Sequence, residues 1–92
     1  MKFEQVPGKD KGKITLYALS TCIWCDKTKK LLTGLGVAFQ YIYVDLLKGE
    51  DRSETIEQII HYNPSSSFPT LVIGEKPIVG YREKEIKEAL QG

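Results

Sequence analysis

The chain has 92 residues, enough for one compact domain and too few for two. Hydrophobic residues make up 41% and charged residues 27%, which excludes a disordered or fibrous protein, and 13 basic against 12 acidic residues leave a net charge of +1, too weak a field to gather nucleic acid. Apolar runs are a few residues long against the roughly 20 that span a bilayer, and the charged start MKFEQVPGKDKGK lacks the apolar centre of a signal peptide. The expectation is a cytoplasmic protein with no membrane or nucleic-acid partner.

Residues 1–13 carry turn formers and lysines around two isolated apolar anchors, Phe3 and Val6, and read as a flexible leader or an added edge strand. ITLYAL, residues 14–19, is a β-rich run suited to a strand buried on both faces. From Ile23 to Leu35 lysines fall on one side and Leu31, Leu32 and Leu35 on the other, with Gly36 as a C-terminal stop, which predicts a helix. Across residues 38–45, Phe39, Tyr41 and Tyr43 alternate with Ile42 and Val44, the period of a second strand. Tyr17, Tyr41 and Tyr43 are assigned to the core. Lys27, Lys29 and Lys30 are assigned to a solvated helix face.

Ile56, Ile59 and Ile60 repeat at helical spacing between Asp51 and Tyr62, and Asn63 and Pro64 close that element. FPTLVIGEKPIVGY, residues 68–81, reads as two short strands around a turn at Gly74 and Glu75, a link short enough only for antiparallel strands. Ile86, Ala89 and Leu90 share one face of a closing helix between Arg82 and Gln91. The order βαβαββα predicts an α/β fold: a four-stranded mixed sheet flanked by three helices, with the first two strands parallel through a right-handed crossover. Ligands in such sheets collect at the carboxyl ends of strands, and STCIWC, residues 20–25, lies just past the first.

Cys22 and Cys25 are the only cysteines. In a reducing compartment a lone pair is rarely a structural disulfide, so metal binding or redox chemistry moves up. Three residues apart on a helix, their Cα atoms stand about 5 Å from each other, within reach of a disulfide. Cys22 is expected at the helix entrance, where unpaired N–H groups favour an anion by about 0.3–2 kcal/mol, and Cys25 one turn in and more covered. A closed zinc site needs four ligands, and the only histidine, His61, is expected on a solvated helix end, so no metal site is assigned.

The cysteine pair at a strand-to-helix junction, followed by SSFPT some forty residues on, resembles the glutaredoxins over roughly residues 14–91, and the chain is similar also to NrdH-type redoxins. The resemblance implies a thioredoxin-like fold and divides the chain into the segment 1–13 and a glutaredoxin-like domain, 14–92. It implies a dithiol thiol-disulfide oxidoreductase in which Cys22 attacks and Cys25 resolves. Ser67, Phe68 and Pro69 then occupy the Thr-Val-cis-Pro position, where a cis bond turns the Phe68 backbone toward Cys22. VGYRE, residues 79–83, matches the Gly-Gly-x-x-Asp stretch and assigns Gly80, Tyr81, Arg82 and Glu83 to substrate or thiol binding, with Thr21 and Trp24 beside the thiol.

The chain departs from the glutaredoxin pattern at Leu19, where a basic residue is usual, and at Ile23, Trp24 and Val79. Trp24 is expected to be exposed beside Cys22, with a ring folded back on the core as the alternative. The implied partners are disulfide-containing proteins, ribonucleotide reductase among them, and a thiol or reductase donor. No tightly bound cofactor is expected, and glutathione or another small thiol is the implied co-substrate of a monomer. The alternative function is an iron-sulfur cluster carrier that uses Cys22 from two protomers.

Overall fold

The computed structural model describes residues 3–91, and the run Ile14–Ala18 forms the centre of its sheet. In chain order the elements are β1 (Glu4–Val6), β2 (Ile14–Ala18), α1 (Ile23–Gly34), β3 (Phe39–Tyr43), α2 (Gly49–Tyr62), β4 (Thr70–Ile73), β5 (Lys76–Val79) and α3 (Glu83–Leu90), with a 3-10 turn at Val44–Leu46. The sheet runs β1-β3-β2-β4-β5, with β2 parallel to β3 and every other pairing antiparallel. Because strands flank β2 on both edges and helices cover both faces, each of its residues is buried.

Alternation along β2 divides the core between the two faces. Ile14, Leu16 and Ala18 pack with Leu32 of α1, Phe39, Leu71, Ile78, and Ile86 and Leu90 of α3. Tyr17 joins Ile42, Val44, Val72 and Ile59 of α2 on the other face. Helix α1 therefore starts just past the carboxyl end of a strand that is fixed on every side. Buried Thr28 satisfies its hydroxyl within α1 by donating it to the Trp24 carbonyl at 2.8 Å. Among the described residues no buried side-chain nitrogen or oxygen lacks a partner.

The sheet has five strands where the pattern predicted four. The added one, β1, pairs antiparallel with β3, Glu4 opposite Tyr41 and Val6 opposite Phe39. Three residues are too few to show a period, so the sequence signal rested on Val6, which packs on the core, and Phe3, whose ring meets Tyr17 edge-on at 6.0 Å. Past β1 a separate parallel bridge joins Lys9 to Val37, the Lys9 N–H donating to the Gly36 carbonyl and its carbonyl accepting the Ala38 N–H, at 2.8 Å each. Gly8 must be glycine here, because a Cβ would lie 2.6 Å from the Val37 carbonyl carbon.

Two smaller expectations are corrected. The second predicted strand ends at Tyr43, since Val44–Leu46 turns away as a 3-10 segment. Tyr41 and Tyr43 are half-buried, and Lys29 folds against them, its ammonium 4.1 Å from the Tyr41 ring centroid, so Lys29 does not belong to the solvated face. Lys30 does, paired with Asp26 at 3.0 Å.

Candidate active site

The tight turn after β2 is set by Cys22, whose N–H donates to the Leu19 carbonyl at 3.2 Å. Cys22 then caps α1 in extended geometry, φ −90° and ψ 116°, and its Sγ accepts the Cys25 N–H at 3.2 Å. Cysteine is an unusual cap, and a sulfur in that role has a backbone donor aimed at it and partial exposure to solvent. Cys25, one turn later, is 1% exposed. Burial, then a hydrogen bond donated to the Cys22 sulfur, push the Cys25 thiol up to about 12, while a backbone hydrogen bond from Leu19 pulls weakly the other way. The two thiols interact, yet one is partly exposed and the other buried.

Facing this turn is the loop of residues 63–69. Its Phe68–Pro69 peptide is cis, and Pro69 is buried with its carbonyl accepting the Gly80 N–H at 2.9 Å. Gly80 takes φ +84°, a conformation open to glycine at little cost. Phe68 lines two cavities, meeting Trp24 in one and Leu19 in the other, and Cys22 lies on the turn between those residues. One is a shallow groove of about 250 Å³ walled by Trp24, Phe68, Pro69, Gly80 and Tyr81. The other, of about 150 Å³, is lined by Leu19, Val44, Ile56, Ile59 and Phe68 together with Asp45, Arg52 and Ser66.

Of the residues assigned from sequence, Trp24, Phe68, Pro69, Gly80 and Tyr81 thus come together beside the cysteines. Trp24 is 54% exposed, with its ring 5.7 Å from that of Tyr81 and the Lys27 ammonium 4.6 Å from its centroid. Thr21 occupies the exposed turn before Cys22. Arg82 and Glu83 lie outside the groove lining and are tied locally. Arg82 donates to the Val79 carbonyl at 2.9 Å and approaches Glu85 at 3.6 Å. Glu83 accepts from Lys87 at 2.9 Å and from the Tyr81 hydroxyl at 3.0 Å, and these bonds hold its carboxyl below the usual carboxylate range.

Two positioning residues escaped the sequence reading. Asp45 accepts hydrogen bonds from the Ser20 N–H and hydroxyl, anchoring the turn before Cys22 to the end of β3, and those bonds hold its carboxyl low. Asn63, read only as a helix stop, is 4% exposed and directs its amide to Ser67 O, Ser67 Oγ and Thr70 Oγ1 at 3.0–3.1 Å. No local signal marks either. Ser20 and Asp45 are 25 residues apart, and an Asn before Pro reads as a terminator whether buried or exposed.

The glutaredoxin family model matches residues 14–78. The chain belongs to the glutaredoxin family. It is 57% identical to methanoredoxin from Methanosarcina acetivorans, over 92% of this chain and 90% of that one, with a TM-score of 0.89. The glutaredoxin from Methanosarcina mazei Go1 is 53% identical, covering 100% of this chain and 90% of that one, at a TM-score of 0.91. A glutaredoxin-like 8.6 kDa protein of the rubredoxin operon of Clostridium pasteurianum is 31% identical over 78 residues, 85% of this chain and 97% of that protein. In fold alone the likeness extends to NrdH-redoxin from Escherichia coli, with 24% identity, 83% of this chain, 92% of that one and a TM-score of 0.65. The thioredoxin-like fold and a redox protein with a Cys-x-x-Cys pair are therefore this glutaredoxin's architecture and class.

Among the described residues no helix is long and apolar enough to cross a membrane.

Proposed function

We propose that this glutaredoxin reduces disulfides by two-step thiol exchange through Cys22 and Cys25. The observation that carries the reading is the asymmetry of the pair: Cys22 is accessible and receives an N–H at the mouth of α1, while Cys25 is buried and donates to it. The Cys22 thiolate attacks one sulfur of a substrate disulfide, forming a mixed disulfide and expelling the other sulfur as a thiolate that takes up a proton. Cys25 then gives up its proton and attacks Cys22 Sγ, closing the Cys22–Cys25 bond and releasing the second substrate thiol. The substrate gains two electrons and two protons; both electrons and one proton, that of Cys25, come from the protein, and the other proton comes from solvent.

The order of these steps follows from the environments. Burial keeps Cys25 protonated first, and its hydrogen bond to Cys22 and the charge there add to that. Once Cys22 is bonded to substrate, its charge is gone and both of those contributions weaken, so the resolving thiol becomes more acidic when it is needed. Phe68 has no main-chain hydrogen-bond partner among the described residues, which suits pairing with an extended substrate backbone. Disulfide-containing proteins, ribonucleotide reductase among them, are the proposed substrates, and glutathione, another small thiol or a reductase returns the electrons. The protein works as a cytoplasmic monomer without a tightly bound cofactor in this reading.

Substituting Cys25→Ser should trap the mixed disulfide as an adduct visible by mass, and Cys22→Ser should form none. An adduct on Cys25 in the Cys22→Ser protein, or none on Cys22 in the other, overturns the assignment. Oxidising the pair and timing its reduction by glutathione, another small thiol and a reductase then ranks the donors.

A further inference from the structure

We propose that the cavity on the Leu19 side of Phe68 is a specificity pocket for an aliphatic side chain next to the cysteine of a peptide or protein disulfide. The proposal rests on the disulfide-exchange reading of Cys22. Leu19, Val44, Ile56, Ile59 and Phe68 line the cavity, together with Ser66 and the exposed, mutually attracted pair Asp45 and Arg52. At about 150 Å³ it matches the size of cavity that takes a benzene-sized apolar guest, so a valine or leucine side chain fits and an indole does not.

Three observations single out this occupant. The pocket adjoins the turn that carries the reacting sulfur, because the Leu19 carbonyl holds the Cys22 N–H and Phe68 lines both this cavity and the Trp24 groove. Its interior residue nearest the sulfur in sequence, Leu19, is apolar, so an anionic group entering here gains no cation from that position and loses its water. The surroundings are also apolar: Ile23 is 72% exposed, Trp24 54% and Leu46 65%, three of the four large hydrophobic side chains exposed among the described residues. Ile23 and Trp24 follow Cys22 directly, and Leu46 follows Asp45, which is bonded to Ser20. An apolar collar around a reactive sulfur, with an apolar socket beside it, fits a protein surface better than a small charged thiol.

The test uses Cys25→Ser protein and peptides whose single cysteine is joined by a disulfide to 2-thiopyridine. Cys22 forms a bond to the peptide sulfur, the peptide–pyridyl S–S bond breaks, and thiopyridone leaves carrying the proton lost from Cys22; its absorbance reports the rate. The residue on each side of the cysteine is set in turn to Ala, Val, Leu, Trp or Asp. At peptide concentrations below saturation Val or Leu should react about tenfold faster than Ala on one of the two sides, and Trp and Asp should gain nothing. Leu19→Lys and Ile56→Phe, each added to the Cys25→Ser protein, should both bring the Leu-to-Ala ratio toward one, a ratio that partial misfolding leaves unchanged. Equal rates across the series overturn the pocket while disulfide exchange stands. Absence of adduct with every peptide overturns exchange, and the pocket with it.

Discussion

The turn that carries Cys22 and the loop that carries Phe68 and Pro69 face each other across the site and are held by opposite means. The turn is tied to Asp45 through exposed hydrogen bonds for which water competes. The loop is tied to Asn63, whose amide is shielded from solvent and which also accepts the Ser65 N–H at 3.2 Å. Thr70 completes the loop by donating to the Ser67 carbonyl at 2.7 Å. A hydrogen bond lost in water is replaced, and one lost in the interior leaves its partner bare. One jaw of the site is therefore fixed, and the other can adjust as a substrate enters.

The sharpest way to break that comparison is Asn63→Ala. It leaves buried Thr70 Oγ1 without the donor that Asn63 supplies and should cost about 2–3 kcal/mol. For a domain of this size that corresponds to a fall in Tm on the order of 10–20 °C. Denaturant unfolding of the reduced protein checks it. A loss no larger than that of an Asp45 substitution would show that the two loops are held alike.

The two sulfurs repeat the contrast over a single helical turn, and alkali exposes it. The Cys25 pKa is raised from about 9 to about 12 by burial first and the Cys22 hydrogen bond second, so the folded protein keeps a proton that the unfolded chain releases. Its contribution to stability is fully present below about pH 9 and is lost as pH rises toward 12, at up to about 1.4 kcal/mol per pH unit. Reduced wild type should lose stability in that window faster than a Cys25→Ala protein does. Parallel curves for the two would mean that Cys25 titrates as an exposed thiol.

Much of the fold was legible because it depends on local periodicity. The fully buried β2, the alternation of β3, the turn at Gly74 and the apolar face of α3 each follow from residues within a few positions of one another. The strand β1 was half legible, since its evidence was two anchors whose partners, Tyr17 and the core beneath Val6, come from elsewhere in the chain. The cysteines and the Phe68–Pro69 loop were legible through motif spacing. Asn63 was not, because burial of a polar side chain is decided by what packs over it. The Leu19 pocket shows the same limit: Leu19 marks a departure from the family pattern, but the socket exists only where it meets Ile56 and Phe68.

The smallest effect belongs to Asp45 and tests the adjustable jaw. Bonds from the Ser20 hydroxyl and N–H hold its carboxyl low, so its contribution to stability is present above the ordinary carboxylate range and disappears as pH falls below about 4 through the lower folded value. The group is exposed, which limits that contribution to less than about 1 kcal/mol. Asp45→Asn should therefore lower stability slightly at pH 7, and the gap from wild type should narrow as pH falls below about 4 and close once the folded carboxyl is protonated. A gap that persists in acid would mean that Asp45 acts through shape alone. If the gap closes but Cys22 alkylation is slower in Asp45→Asn at neutral pH, the charged tie to Ser20 also sets how the turn presents its sulfur.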